Sequence, residues 1–409
     1  MGSVMRQSCQ RRKFLRQIIS GTAAIAGCGP LQRAGRPVHT TSATPWPEGW
    51  AMPSIDGLPT IDVDDEEAKR RIDAPVAVCK SSIPAEAGYE ILRLLQPTLQ
   101  SDRVFIKVNC SFHTSRNWKK FTKQDRHRMW GACSDPRFVE GVIQYFQEQG
   151  IGPRNITIGE AVGGRMEIDD YFELLGFTAL SKKSGVRLIN LNRSKAVGVR
   201  IARSSNLSSL AVAKPVVDHF RDGVLVNLAK MKNHRLPGVS LCAKNMMGVI
   251  LPPNAKRLMH AEFGNSAIPD QENQYENWRY YEALVLFGAR LADLNQLTPD
   301  INMVDGVIAS EGSGFLEPDT DETVPVDSRR AFAGINLFNV DAVASHFMGY
   351  DPREPNLELF PEMEKFWWIF FGAMRGYGHM DIEKIPIIGN PVLIRSEKRF
   401  RLYSPYQLV

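Results

Sequence analysis

Metal and redox motifs are scarce in this chain. Its six cysteines, Cys9, Cys28, Cys79, Cys110, Cys133 and Cys242, are scattered through 409 residues. None lies at the close spacing of zinc or iron–sulfur ligands, so no residue is assigned to a metal. Gly159-Glu160-Ala161-Val162-Gly163-Gly164 lacks the full glycine spacing of a dinucleotide loop, and no cofactor is assigned. No apolar run reaches the ~20 residues that cross a bilayer as a helix. Net charge is missing too, once the leader is set aside. The chain carries a formal +5, but residues 1–27 hold five cations (Arg6, Arg11, Arg12, Lys13, Arg16) and no acid. The rest is close to neutral, which removes the global electrostatic argument for nucleic acid.

The leader itself is informative. Gln10-Arg11-Arg12-Lys13-Phe14-Leu15-Arg16 precedes a short apolar run from Ile18 to Ala26 and then Ile25-Ala26-Gly27-Cys28. A basic start, a short apolar core and small residues before a cut site define a removable export signal over residues 1–27. Arg11 and Arg12 followed by Phe-Leu resemble the twin-arginine signal, making that export machinery an expected partner. Ile-Ala-Gly-Cys resembles a lipobox, in which Cys28 takes the lipid. The expected location is the periplasmic side of a bacterial membrane, with contact to the membrane only through that lipid. A chain folded before export meets reducing conditions first, so the remaining cysteines are expected as buried free thiols.

Residues 28–65, rich in Pro, Gly, Ser and Thr, suit a tether. Beyond them, short apolar strands alternate with helical segments. Strands are expected at 74–80, 104–108, 155–159, 186–191 and 223–228, and helices at 84–95, 136–149 and 171–175. This alternation predicts an α/β fold, a mainly parallel sheet with helices on both faces. An aromatic cluster, Phe366-Trp367-Trp368-Ile369-Phe370-Phe371, marks residues 353–409 as a C-terminal extension packed on the core.

One further absence is local. Between Asp222 and Glu262 there is no acidic residue, yet the window holds Lys230, Lys232, Arg235, Lys244, Lys256, Arg257, His234 and His260. Lys230, Lys232 and His234 follow a buried-type strand at period two and project to one side if the chain stays extended. Pro237-Gly238 then turns the chain, and Val239 to Ile250 reads as a helix that places Lys244 and Gly248 on one face. A strand end, a basic loop and a helix start form a natural anion site in a doubly wound sheet. A second constellation, Asp305 with Glu311-Gly312-Ser313-Gly314, supplies two carboxylates. They divide acid and base roles, or hold a metal with water between, or else Asp305 simply caps a turn and Glu311 pairs with a lysine.

These pieces resemble the domain-of-unknown-function 362 family over roughly residues 74–352. The resemblance rests on Ile106-Lys107-Val108-Asn109, Ser134-Asp135-Pro136, Ile158-Gly159-Glu160-Ala161 and Val226-Asn227-Leu228-Ala229-Lys230-Met231-Lys232-Asn233-His234. Ala243-Lys244-Asn245-Met246-Met247-Gly248, Asp305-Gly306 and Asn339-Val340-Asp341 complete it. It implies an α/β fold and no settled reaction, and it adds Lys107, Asn109 and Asn245 to the ligand-binding candidates. Val108 stands where relatives usually have proline, and the cysteine-rich ferredoxin segments of many relatives are missing, which argues against electron transfer.

The expected function is proton transfer on a small anionic hydroxy acid or sugar acid by an isomerase, racemase or lyase. Lys230, Lys232 and Lys244 would hold the anion, while His234 or His260 would shuttle a proton with Asp305 or Glu311. Metal-assisted hydrolysis, or ligand binding without turnover, are the alternatives. For the leader, Cys28→Ser should release the protein from membranes or leave an uncleaved precursor. Wild-type protein without acyl chains on residue 28, measured by mass spectrometry, would defeat the lipid assignment.

Overall fold

The computed structural model describes residues 52–111, 121–162, 167–234, 237–259, 278–314, 316, 323–353, 367–395 and 399–401. Among these residues, extended apolar segments form thirteen strands. The first seven are β1 (Thr60–Val63), β2 (Val76–Lys80), β3 (Val104–Lys107), β4 (Ile156–Glu160), β5 (Arg187–Asn190), β6 (Ala196–Ile201) and β7 (Ser209–Ala213). The remainder are β8 (Val224–His234), β9 (Gly238–Ser240), β10 (Ile301–Gly312), β11 (Thr323–Val326), β12 (Arg330–Gly334) and β13 (Ile387–Ile388).

Ten of them build one sheet in the order β13-β2-β12-β10-β8-β3-β4-β5, with β11 beside β10 and β9 beside β8. From β10 through β8, β3 and β4 to β5 every pairing is parallel. Only β12, between β10 and β2, reverses the direction within that path. The mainly parallel α/β sheet expected from the alternation of elements is therefore present. A separate three-stranded sheet, β1-β6-β7, precedes the helix Lys214–Asp222 that leads into β8.

Period two sorts the strand residues onto two faces. Val104 and Ile106 of β3 join Val226 and Leu228 of β8 in a core with Ile91, Phe138 and Val142, which come from helices Pro84–Leu95 and Pro136–Glu148. Phe105, between them, turns to the other face, where its ring lies 5.4 Å from that of His219. Pro136 starts its helix because Asp135 caps it, accepting the Arg137 amide at 2.9 Å.

Strand order decides where a ligand could enter. From β3 the chain moves to β4 and β5 on one side, then returns to β8 and β10 on the other. The direction of winding reverses between β3 and β8. In open parallel sheets a crevice opens there, beyond the carboxyl ends of the strands.

Several expectations need correction. The strand after Gly223 does not stop at Leu228 but runs to His234. Past the end of β3 its backbone edge is uncovered by that strand, and Gly238–Ser240 folds back on it antiparallel through a turn in which Gly238 has φ +79°. The helix expected over 239–250 is thus shortened to Cys242–Asn245, followed by a tighter turn at Met246–Val249. The end of the expected tether is not free either: the alternating Thr60–Val63 pairs parallel with Gly198–Ile201. The C-terminal segment contributes a helix, Trp367–Met374, and adds β13 to the sheet edge beside β2. Cys79, Cys110, Cys133 and Cys242 are buried free thiols, as expected.

Two glycines set the spacing of the helices on the first face. A Cβ on Gly141 would stand 1.9 Å from the Ala85 carbonyl oxygen, and one on Gly88 would stand 2.1 Å from that of Phe138. Backbone meets backbone, and neither partner can rotate away. Gly141→Ala should therefore cost about 1–3 kcal/mol of stability by urea denaturation. An unchanged midpoint would show that the crossing has slack.

Candidate functional site

At the β3/β8 reversal the sheet holds a row of polar residues in register. Asn302 of β10 pairs with Asn227 of β8, and Asn227 with Lys107, the last residue of β3. Their side chains are connected. Asn227 donates to the Asn302 side-chain oxygen at 3.1 Å and accepts from the Asn245 amide at 2.8 Å. The Asn245 oxygen in turn accepts from Lys107 Nζ at 2.8 Å and from the Asn109 amide at 3.1 Å. Lys107 completes its pairing with Glu160, the last residue of β4, at 2.9 and 3.1 Å to the two carboxylate oxygens. Glu160 also accepts the backbone amides of Cys110 and Ala161 at 3.1 and 2.8 Å. Val108 contributes here: its N–H donates to the Gly159 carbonyl at 3.3 Å and lengthens the β3–β4 ladder. A proline could not make that bond.

One step further along β8 lies a second ion pair. Lys230 and Asp305 are register partners on adjacent parallel strands, and Nζ meets Oδ2 at 2.8 Å with both side chains out of solvent. Asp305 also accepts the amides of Asp135 at 2.9 Å and Val307 at 3.3 Å. Lys232 pairs with no carboxylate among the described residues. It donates to the Ser111 and Ala132 carbonyls at 2.5 and 2.8 Å and reaches Asn109 Oδ1 at 3.5 Å. Ala132 ends the helix Arg126–Ala132, whose negative dipole end suits a cation. Lys256 donates to the Ala161 carbonyl.

Lys244 differs from the other four. It is partly buried on the short helix Cys242–Asn245, and its ammonium has no hydrogen-bond or ion-pair partner among the described residues. That helix cannot offer its N-terminus to a ligand. The buried Asp341 carboxylate already takes the amides of Cys242 and Ala243 at 2.8 and 2.9 Å, and Trp368 Nε1 at 2.9 Å. Asp341 thus fixes the backbone from which Lys244 and Asn245 project.

Among the described residues, these five ammonium groups gather round two carboxylates, Glu160 and Asp305, and burial lowers the pKa of four of the lysines. Desolvation, reinforced by Lys232 and Lys107, brings the Lys244 pKa down to about 7. Desolvation likewise brings Lys256 to about 7, with Lys107 adding to the shift and Glu160 opposing it. Lys232 falls to about 8, again mainly by desolvation. Lys107 is also lowered by burial, against the pull of Glu160. Burial raises Asp305 above the usual carboxylate range despite Lys230, and raises Asp341 to about 7.

Of the residues singled out in the sequence, Lys107, Asn109, Lys230, Lys232, Lys244 and Asn245 gather at the strand ends. Asp305 joins them as the counter-ion of Lys230. Glu311 is directed elsewhere: it accepts the Arg401 amide at 3.0 Å. His234 is buried at the end of β8, opposite Gly238. His260, Cys28, Arg11 and Arg12 lie outside the described residues. Glu160, Asn227, Asn302, Asp341 and Lys256 belong to the site or its support without having been named as candidates.

An open α/β sheet with ionisable side chains buried at its winding reversal defines the class of protein. The profile of the family described as Domain of unknown function (DUF362) matches residues 104–346, more than half of the chain. The chain belongs to that family. The match starts at β3 and is narrower than the 74–352 expected from the resemblance. A thylakoid-associated protein of Synechocystis sp. is 27% identical over 218 residues, covering 53% of this chain and 57% of that protein. The chain thus spans just over half the length of this relative.

Gly248 closes over the Lys107–Glu160 pair. A Cβ there would lie 2.3 Å from Lys107 Nζ and 2.4 Å from Glu160 Oε1. The lysine tip is flexible by nature but is pinned here by Glu160 and Asn245. The lysines also make stability depend on pH. Lys232, Lys244 and Lys256 have folded pKa values below that of an unfolded lysine (~10.4). Between about pH 7 and 10 the unfolded chain therefore binds more protons, and stability from these groups rises with pH. Lys244→Met should flatten this rise in urea titrations at pH 7, 8 and 9. An identical slope in the variant would show that Lys244 does not carry an unbalanced charge.

Proposed function

We propose that this protein binds a small polyanion at the β3/β8 strand ends and transfers a proton on it, as an isomerase, racemase or lyase acting on a hydroxy acid or sugar acid. The supporting observation is Lys244: a partly buried ammonium without a partner among the described residues, beside Lys107 and Lys232. Two carboxylates leave an excess of positive charge in the region, and an anionic ligand is its natural complement. The division of labour differs from the expectation for the carboxylates. Asp305 and Glu160 balance buried lysines. Lys244, whose pKa burial and the nearby Lys232 and Lys107 bring down to about 7, is the group suited to accept a proton.

A metal-assisted hydrolase has less support, because no group of three His, Cys, Asp or Glu side chains gathers among the described residues. The leader supports an exported, lipid-anchored location. The Synechocystis relative is named as thylakoid-associated.

Thermal melts test the binding step. Phosphate or citrate should raise the Tm of wild type at pH 6.5, and the effect should fade by pH 9 as the lysines lose their protons. Lys244→Met should keep or raise the basal Tm and lose the anion response. Lys230→Met should instead strip Asp305 of its counter-ion and cost about 3–5 kcal/mol. Wild-type melts insensitive to both anions at pH 6.5 would refute the polyanion site.

A further inference from the structure

We propose that Lys244 is a covalent catalyst that forms an imine with the carbonyl carbon of a small carboxylate-bearing ketone or aldehyde, a 2-oxo acid being the simplest class. This deepens the reading above and rests on it, since the surrounding cations would hold the carboxylate.

Geometry selects this lysine from its neighbours. Lys107 is held by Glu160 and Asn245, and Lys230 by Asp305. Lys232 is spent on two backbone carbonyls, and Lys256 donates to a third. Each would have to break an existing bond to attack a substrate. Lys244 breaks none among the described residues, and the residue as a whole is only partly buried. Its backbone is nevertheless fixed. Asp341 grips the two preceding amides, and Asn245, the next residue, is bonded to Lys107, Asn109 and Asn227. A lysine with no partner to break among the described residues, on a fixed backbone and near other cations, meets what imine formation asks of its nucleophile. Protonation supports the geometry: with a pKa near 7, an appreciable fraction of Lys244 is free amine at neutral pH.

The step balances without a redox partner. The Nζ lone pair attacks the carbonyl carbon, and the carbonyl oxygen takes a proton to give a carbinolamine. Nitrogen then releases a proton, the hydroxyl leaves as water, and the C=N bond forms. The protonated imine draws electrons from the adjacent carbon and acidifies its C–H bond, which links this chemistry to proton transfer. Water adding back to C=N releases the product and restores the amine.

Borohydride trapping on the purified full chain tests the proposal. With pyruvate, glyoxylate or 2-oxoglutarate, reduction should leave one secondary-amine adduct per chain. Peptide mapping should place it at Lys244, enriched at least about tenfold over any surface lysine. Citrate should compete. Malate, a dianion without a ketone or aldehyde carbonyl, should raise Tm but leave no adduct. The adduct should vanish in Lys244→Met and also in Lys244→Arg, which keeps the cation and controls for folding. Anion-dependent Tm shifts in wild type with no adduct from any of the three carbonyls would overturn the imine and leave the polyanion site standing. Adducts that persist in both variants, or map to another lysine, would overturn it as well. Absence of both the Tm shifts and the adduct would remove the two readings together.

Discussion

Burying an ammonium group costs several kcal/mol unless something nearby restores what water supplied. Within a few residues of the strand ends this protein meets that demand for four lysines, each by a different device. Lys107 has a carboxylate and an amide oxygen, Lys230 a carboxylate one strand away, Lys232 a helix terminus and loop carbonyls, and Lys256 a single carbonyl. Much of the local architecture reflects these demands. The chain leaving β3 at Asn109–Ser111, the end of the helix at Ala132 and the chain leaving β4 at Ala161 all bring oxygen toward nitrogen. Lys244 stands out against this pattern.

The lysines are also why the long strand β8 matters more than its neighbours. It continues past the end of β3, so its last residues are flanked by the short returning strand β9 where β3 would otherwise lie. Side chains there can be buried yet still border the crevice. The parallel partner β10 keeps unbroken register with it from Ile301 to Asp305, which sets the Asp305 carboxylate level with Lys230, and then bulges so that Ser310 pairs with Lys232.

Much of the fold was legible because its signals are local. The helix Pro84–Leu95 has proline at its start and an apolar stripe, and Asp135-Pro136 announces the next one. The period-two spacing of Lys230 and Lys232 was legible for the same reason. Partners were not. The pairing of Lys230 with Asp305 depends on strand register across 75 positions of sequence, and nothing in either segment encodes it alone. Glu160 read as part of a glycine-rich loop because its neighbours suggested one, whereas its place at a strand end beside Lys107 assigns it as a counter-ion. Asp341 did leave a trace: a lone acid inside the apolar stretch Leu337–Phe347 implies a carboxylate with waiting donors. The helix over 239–250 failed because helical spacing of apolar residues does not reveal that an open strand edge will capture the first of them.

The indole of Trp368 bears on how the family should be understood. It donates to Asp341, the carboxylate that orders the Lys244 segment, yet it lies beyond the matched residues 104–346, as does the edge strand Ile387–Ile388. The shared sequence therefore ends before the scaffold does. A chain cut at the last matched residue would keep the lysines and the oxygens that hold them, but would leave the Asp341 carboxylate without the indole donor that this chain supplies from its C-terminal segment. The matched block is a unit of resemblance and not a unit of folding.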